Sequence, residues 1–271
     1  MTESERNVDV PRMPFRVAIA TTLDPMVALP KLTALCKAVG AIVDRPASGH
    51  LMVSYEELVL GADADGFEMM WLPPLIALTL VPPGKAEAMA VPVRRGETSY
   101  ATALFAKPGG GVKSLDALRG KHAAWVDQHS CAGYVLPRAL LKRRGVDVDA
   151  AFGHERMLGS HAKVVAAVLD GDADVGATFV HLDGGRIVSA AWGEREVEVL
   201  ASYGPIPADM LAFGRKVQSA TRDAVVAALL DAGSELSERA RDLMECEAFA
   251  APDADHLAAL VELVGETTSP S

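Results

Sequence analysis

Cysteine is scarce in this chain: Cys36, Cys131 and Cys246 are the only three in 271 residues. They are far apart, odd in number and form no C-x-x-C pair, which argues against a zinc site or a disulfide framework. No Gly-rich nucleotide loop is present either. The sequence therefore predicts no bound metal and no cofactor.

The chain also lacks an excess of positive charge and long apolar runs. Lys and Arg number 26 against 36 Asp and Glu, which gives a formal net charge of −10. This balance argues against a nucleic-acid partner or an anionic membrane surface. The longest apolar run, residues 71–83, is interrupted by prolines and is too short to cross a bilayer, so no membrane insertion is expected.

Residues 1–14 have neither the apolar segment nor the small-residue cleavage site of a signal peptide. The chain as written is therefore expected to act in the cytoplasm, or in the periplasm if a leader has been removed.

Half of the residues are hydrophobic and are spread along the chain, as is typical of a folded globule. Short apolar runs such as residues 15–20 (FRVAIA) alternate with segments of helical periodicity. Residues 26–39 are one such segment, which begins after Asp24-Pro25 and is expected to end at Gly40. Alternation of strands and helices predicts an α/β fold with parallel strand pairing.

No linker rich in proline or serine divides the strand–helix units, and strands expected at 197–201 and 210–213 lead back to the first units. We therefore predict two lobes, each a mostly parallel sheet flanked by helices, with a ligand cleft between them at the carboxyl ends of strands. The predicted boundaries are a disordered tail at 1–14, a first lobe at 15–97 and 204–250, a second lobe at 98–203, and a C-terminal helix and tail at 251–271.

The segment after the strand that ends at Val126 is the part of the sequence that says most about a possible ligand site. A polar turn at 127–129 leads into the small residues Ser130, Cys131, Ala132 and Gly133, and then into a helix expected over 131–144. Small side chains let an oxyanion approach the free backbone N–H groups of a first helical turn, and the Ser130 hydroxyl adds a donor. A plain strand-to-helix turn, with Ser130 as N-cap, fits the same residues.

Two further candidates come from their positions in the chain. Thr22 follows the end of the first strand, where its side chain can face a cleft. His129 lies in the polar turn before Ser130 and is either a ligand contact or a hydrogen-bonded surface group.

The pattern D-x-x-S-x-x-G-[YF]-x-x-P, which begins at Asp127, resembles the signature of phosphonate-, phosphite- and phosphate-binding proteins of ABC importers. Residues 159–161 (GSH), with the helix and strand that follow to Ala177, are similar to a second block of that family. Residues 202–209 (SYGPIPAD) are similar to a third. Weaker matches surround Tyr55, Trp71 and Tyr100, and the likeness runs from about residue 15 to 245. It implies the type II fold of periplasmic binding proteins.

This resemblance implies a set of ligand contacts. Ser130 and the amides of Cys131 and Ala132 would hold an oxyanion, Tyr55 and Tyr100 would reach it from the first lobe and the crossover, and His161 would reach it from the second lobe. Ser160, in the same G-S-H block, is a further candidate. Two departures stand out. The family usually has hydroxyl residues where this chain has Cys131 and Ala132, and an acid where it has Ala162, so an aminoalkyl phosphonate is less favoured.

The leading hypothesis is a protein that binds a small anion in the cleft, either as the solute-binding component that serves an ABC permease or another receiving protein, or as a cytoplasmic ligand-binding sensor. Since fold does not fix function, the alternative is a cytoplasmic enzyme of lyase or cofactor-biosynthesis type that uses Cys131, His129 and His161.

Overall fold

The structure is a computed structural model that describes residues 13–20, 23–52, 54–253, 255–258 and 260–261. The predicted tail at 1–14 and the predicted C-terminal segment at 251–271 therefore lie largely outside the described residues.

The first lobe is built on a six-stranded sheet of order β12-β4-β11-β3-β1-β2. Its strands are β1 Phe15–Ile19, β2 Ala47–Leu51, β3 Met69–Leu72, β4 Ala86–Val93, β11 Met210–Gly214 and β12 Ala248–Ala250.

The second lobe has a six-stranded sheet in which β10, β5, β8, β6 and β7 are neighbours in that order and β9 pairs with β8. Its strands are β5 Ser99–Ala106, β6 Lys121–Trp125, β7 Phe152–Met157, β8 Val175–Asp183, β9 Arg186–Ala190 and β10 Glu198–Pro207.

Helices connect the strands and cover the sheets. They are α1 Pro25–Val43, α2 Tyr55–Asp63, α3 Pro74–Leu80, α4 Leu136–Arg143, α5 His161–Asp170, α6 Ser219–Leu230 and α7 Glu235–Met244. A 3-10 turn spans Leu115–Leu118, and a π-helical turn spans Cys131–Val135. The expected helix over 131–144 is thus a wide turn followed by the shorter α4.

The two-lobed fold is confirmed, but the prediction of mostly parallel sheets is wrong. In the first sheet β11 lies antiparallel between β3 and β4, and in the second β5 lies antiparallel between β10 and β8. Both β5 and β11 enter their sheet from the other lobe. They start where the neighbouring strands end, and they must therefore run in the opposite direction.

Two short crossovers join the lobes. The first lies between Val93 and Ser99, and the second is Ala208-Asp209. Because Pro207 of β10 still pairs with Ser99 of β5, the second sheet extends beyond the boundary predicted after residue 203.

The cores follow the alternation of side chains along each strand. In β1, Val17 and Ile19 pack into the cluster that includes α1, α6 and α7, whereas Ala18 packs into the cluster that includes α2 and α3. Helices therefore cover both faces of the first sheet.

A smaller apolar cluster joins the lobes. Cys131, Ala132 and Leu136 of the second lobe pack with Leu75 and Leu78 of α3 in the first lobe. The lobes are thus in direct contact beside the crossovers.

Helix α1 is long and apolar enough to span a membrane by length and composition. Buried core helices of globular proteins and signal sequences meet the same criterion. In this fold α1 contributes Leu32, Leu35 and Val39, all nearly inaccessible, to the core of the first lobe.

Candidate functional site

A cavity of about 260 Å³ lies between the lobes, beside the two crossovers. Its lining combines both sheets, α2, α5 and α7. The described residues that line it are Ala20, Leu23, Tyr55, Trp71, Pro73, Pro74, Arg94, Glu97, Ser99, Tyr100, His161, Phe179, His181, Ala208, Asp209, Leu243, Met244 and Glu245. The predicted residues Tyr55, Tyr100 and His161 are therefore brought together.

Tyr55 is the first residue of α2, and local sequence places it there. The Ser54 side chain caps the helix by accepting a hydrogen bond from the Glu57 N–H at 3.1 Å. Burial raises the pKa of the Tyr55 hydroxyl well above its ordinary value, and the carboxylates of Asp127 and Asp209 raise it further. Tyr55 is therefore a neutral hydroxyl at physiological pH.

Tyr100 lies in β5, directly after the first crossover. It packs against the cluster that contains Cys131, and burial raises the Tyr100 pKa well above its ordinary value. Tyr100 thus links the cavity to the segment that begins at Ser130.

His161 is the first residue of α5, behind the cap formed by Ser160, whose Oγ accepts from the Lys163 N–H at 3.3 Å. Its Nδ1 lies 2.8 Å from the Thr178 hydroxyl, and its ring makes an edge contact with Phe179 at 5.1 Å between centroids. Burial lowers the pKa of His161 to about 4, so the imidazole is neutral at pH 7.

Arg94, Asp209 and Trp71 form a polar network in the cavity wall. Arg94 Nη1 donates to Asp209 Oδ1 at 2.8 Å, and the indole N–H of Trp71 donates to Asp209 Oδ2. The sequence gives no indication of Arg94 as a site residue, and Asp209 stands out only as the end of a block similar to the family. An arginine after a strand gives no local signal of the residue it pairs with, because that partner is 115 residues away.

The segment at Ser130 lies between the lobes but does not line the cavity. Ser130, Cys131 and Ala132 are 4%, 4% and 2% exposed. Ser130 Oγ accepts from the Gly133 N–H at 3.1 Å, as the capping interpretation predicts, and the Ala132 carbonyl accepts from Thr102 Oγ1 at 2.7 Å. The placement of an oxyanion on the amides of Cys131 and Ala132 stays a prediction.

Gly133 explains part of the motif around Ser130. A Cβ atom on Gly133 would lie 2.4 Å from Val126 Cγ2 and 2.8 Å from Ser130 Oγ. Glycine is needed there because the turn folds back onto the end of β6.

Two of the remaining candidates, His129 and Ser160, lie outside the lining of this cavity. His129 is half-buried, and its Nδ1 lies 3.3 Å from Asp127 Oδ1, the pairing of a surface turn. Ser160 is the α5 cap. Thr22 lies outside the described residues.

The thiol of Cys131 is buried, and burial raises its pKa to about 12. A reactive nucleophile needs a thiolate, and an environment that raises the pKa opposes its formation. His129 contacts Asp127, and His161 contacts Thr178. These contacts do not favour the enzyme alternative. Within the described ranges, no group of three or more His, Cys, Asp or Glu side chains is arranged to hold a metal ion.

Comparison with known proteins agrees with the geometry. The model of the family described as "ABC transporter, phosphonate, periplasmic substrate-binding protein" matches residues 17–257. No curated protein matches the sequence.

Solved structures with the same fold come from several bacteria. The binding-protein component of an ABC phosphonate transporter from Pseudomonas aeruginosa is 19% identical, with a TM-score of 0.76 over 92% of this chain and 85% of that one. PhnD1 from Prochlorococcus marinus, solved with methylphosphonate, is 14% identical, with a TM-score of 0.75 over 92% and 96% of the two chains. A chloride-bound protein from Xanthomonas citri is 19% identical, with a TM-score of 0.75 over 93% and 96%.

At these identities the solved structures establish the fold alone, whereas the family model covers most of the chain. The protein belongs to the family of periplasmic substrate-binding proteins of phosphonate ABC transporters.

Proposed function

We propose that this protein holds a small phosphonate-like oxyanion in the cavity between its lobes and delivers it to an ABC permease. One observation carries the proposal: Tyr55, Tyr100 and His161, from α2, β5 and α5, line a single cavity. Donors from both lobes are satisfied together only when the lobes are closed, so ligand binding would favour the closed state.

The protonation states of these groups suit an anionic ligand. Tyr55 and Tyr100 keep their hydroxyl protons at neutral pH, since the ordinary tyrosine pKa of 10 lies well above 7 and burial raises both values further. In the tautomer of His161 whose Nδ1 accepts from Thr178, Nε2 carries a hydrogen that can be donated to an oxyanion.

Two helix N-termini add to this preference. Tyr55 and His161 are the first residues of α2 and α5, and both line the cavity. The positive end of a helix dipole favours negative charge within the first turn.

The periplasm is the proposed site of action, since the family is periplasmic and its partner is a membrane permease. A cytoplasmic ligand-binding or sensor protein would use the same cleft without a permease. Localisation of the native gene product in cell fractions separates the two roles: recovery with periplasmic proteins supports delivery to a transporter, and recovery in the cytosol contradicts it.

Calorimetric titration of the purified protein with methylphosphonate, phosphite, phosphate and sulfate tests the binding proposal. We expect at least one phosphorus oxyanion to bind saturably and to raise the free energy of unfolding, by about 2.7 kcal/mol at a hundred times Kd.

Variants then locate the site. Tyr55→Phe, Tyr100→Phe and His161→Gln should each weaken binding by about 1.5–3 kcal/mol, because a hydrogen bond to a charged group is lost. Tyr203→Phe is the matched control, since the Tyr203 hydroxyl accepts from Arg143 outside the cavity. Absence of saturable binding, or equal affinity of all four variants and the wild type, overturns the proposal.

A further inference from the structure

Each nitrogen of the Arg94 guanidinium donates a hydrogen bond to a neighbouring acceptor. Nη1 donates to Asp209 Oδ1 at 2.8 Å, Nη2 donates to the Met244 carbonyl at 2.6 Å, and Nε donates to the Glu245 carbonyl at 3.3 Å. Arg94 is also the only lysine or arginine among the described residues that line the cavity.

The carboxylate of Asp209 is engaged on both oxygens. Oδ1 accepts from Arg94, and Oδ2 accepts from the Trp71 indole and, at 3.4 Å, from Arg94 Nη2. The side chains of Arg94 and Asp209 are only 21% and 15% exposed. Asp209 is the most buried carboxylate of the cavity wall. Its charge is therefore neutralised by Arg94, and both of its oxygens accept hydrogen bonds.

The remaining charged groups of the wall lie at its edge. Glu97 and Glu245 are exposed, so water screens their charge. His161 and His181 are neutral at pH 7, since burial is the main cause that lowers the pKa of each. Much of the remaining wall is apolar, including Leu23, Trp71, Phe179, Leu243 and Met244.

We propose that Arg94 determines the ligand class by neutralising Asp209: the site accepts an oxyanion with a small uncharged substituent and discriminates against one whose substituent carries an ammonium group. This inference rests on the proposed function, and it concerns the substituent that the oxyanion carries. Ala162 already disfavoured an aminoalkyl phosphonate at the level of sequence. The present inference depends on two other residues, Arg94 and Asp209.

The physical reason is the cost of desolvating an ammonium ion. An ammonium group that enters this cavity loses water, and the buried carboxylate that could compensate already has Arg94 as its partner. An ethyl group in the same place loses no hydrogen bonds and gains contact with the aromatic and aliphatic wall.

Ethylphosphonate and 2-aminoethylphosphonate form a matched pair of probes that differ by one amine. We expect the wild-type protein to bind ethylphosphonate at least tenfold more tightly at pH 7.5, measured by calorimetry. Arg94→Met should free Asp209 and shift the ratio of the two affinities at least tenfold towards the amine. Asp209→Asn should leave Arg94 uncompensated, tighten binding of both ligands and give no shift towards the amine.

Arg95→Met is the control variant. It removes the same charge from the next residue, which is exposed and absent from the lining of this cavity, and it should leave the affinity ratio unchanged. Equal or tighter binding of 2-aminoethylphosphonate by the wild type overturns the inference while leaving the proposed function intact. Failure of the wild type to bind any phosphorus oxyanion overturns both. If Arg94→Met does not fold, the ratio of the two affinities in the wild type and the affinities of Asp209→Asn test the inference.

Discussion

The imidazole Nδ1 of His161 lies 2.8 Å from the hydroxyl of Thr178, a fully buried residue of β8 on the adjoining sheet. This contact fixes the ring at the start of α5, and burial lowers its pKa to about 4 from an ordinary value of 6.5. The burial that accompanies this position therefore makes the fold sensitive to acid.

His161 should make the free energy of unfolding depend on pH between 6.5 and 4. Below pH 6.5 the unfolded chain takes up a proton that the folded protein resists, so the contribution is fully present above this pH and is lost as the pH falls towards 4. Between pH 7 and pH 5 the wild type should lose about 2 kcal/mol more than His161→Gln. Urea unfolding of both proteins at the two pH values measures this difference, and equal losses would contradict it.

Ser130→Ala and Ser160→Ala should each lower the free energy of unfolding by about 0.5–2 kcal/mol, because each serine accepts a backbone hydrogen bond at a helix start. If an oxyanion also contacts Ser130, only Ser130→Ala should weaken ligand binding, by about 1.5–3 kcal/mol. Urea unfolding and calorimetry on the same two variants separate the effects. Unchanged affinity of Ser130→Ala would count against this contact.

Gly133→Ala should destabilise the protein by about 1–3 kcal/mol, since the added methyl group would overlap Val126 and Ser130. Gly233→Ala is the matched control, because its Cβ would meet only Asp231 Oδ1, at 3.4 Å. Thermal unfolding of the two variants should show a clear loss for the first and a small change for the second. Equal melting temperatures would mean that the turn tolerates a side chain.

All three cysteines should react slowly with a thiol reagent at pH 8 in the folded protein. Burial is the main cause that raises the pKa of Cys36 to about 11 and those of Cys131 and Cys246 to about 12, so the thiolate fraction is on the order of a thousandth or less. Cys246 is only half-buried and should react first.

A colorimetric thiol assay with Cys131→Ser and Cys246→Ser identifies which sulfur reacts, and unfolding in guanidinium should expose all three. A fast-reacting thiol that disappears in Cys131→Ser would contradict the burial argument and would support the enzyme alternative.

Local rules predicted the start of α1 at Asp24-Pro25 correctly, and the error at its other end has a local cause. The cap at Ser160 and the end of α5 at Gly171 follow from contacts within a few residues. The end of α1 was predicted at Gly40, yet the helix continues to Val43 and ends at Asp44 in a left-handed conformation. A glycine permits a helix end without requiring it, and here a short loop from Asp44 to Pro46 leads into β2.

The candidate site was predicted only in part. Tyr55, Tyr100 and His161 came from likeness to a family, and all three line the cavity. Arg94 and Asp209 could not be paired from sequence, because they meet only after each crossover has joined the sheets of both lobes.

By itself the sequence determined the α/β character, the start of α1 after Asp24 and the ordered blocks of the family, since these depend on the nature and spacing of nearby residues. Only the tertiary structure decided that β5 and β11 run antiparallel, that the Ser130 segment packs between the lobes and that Arg94 neutralises Asp209. These features depend on groups far apart in the chain, whose contact is set by how the two lobes pack together.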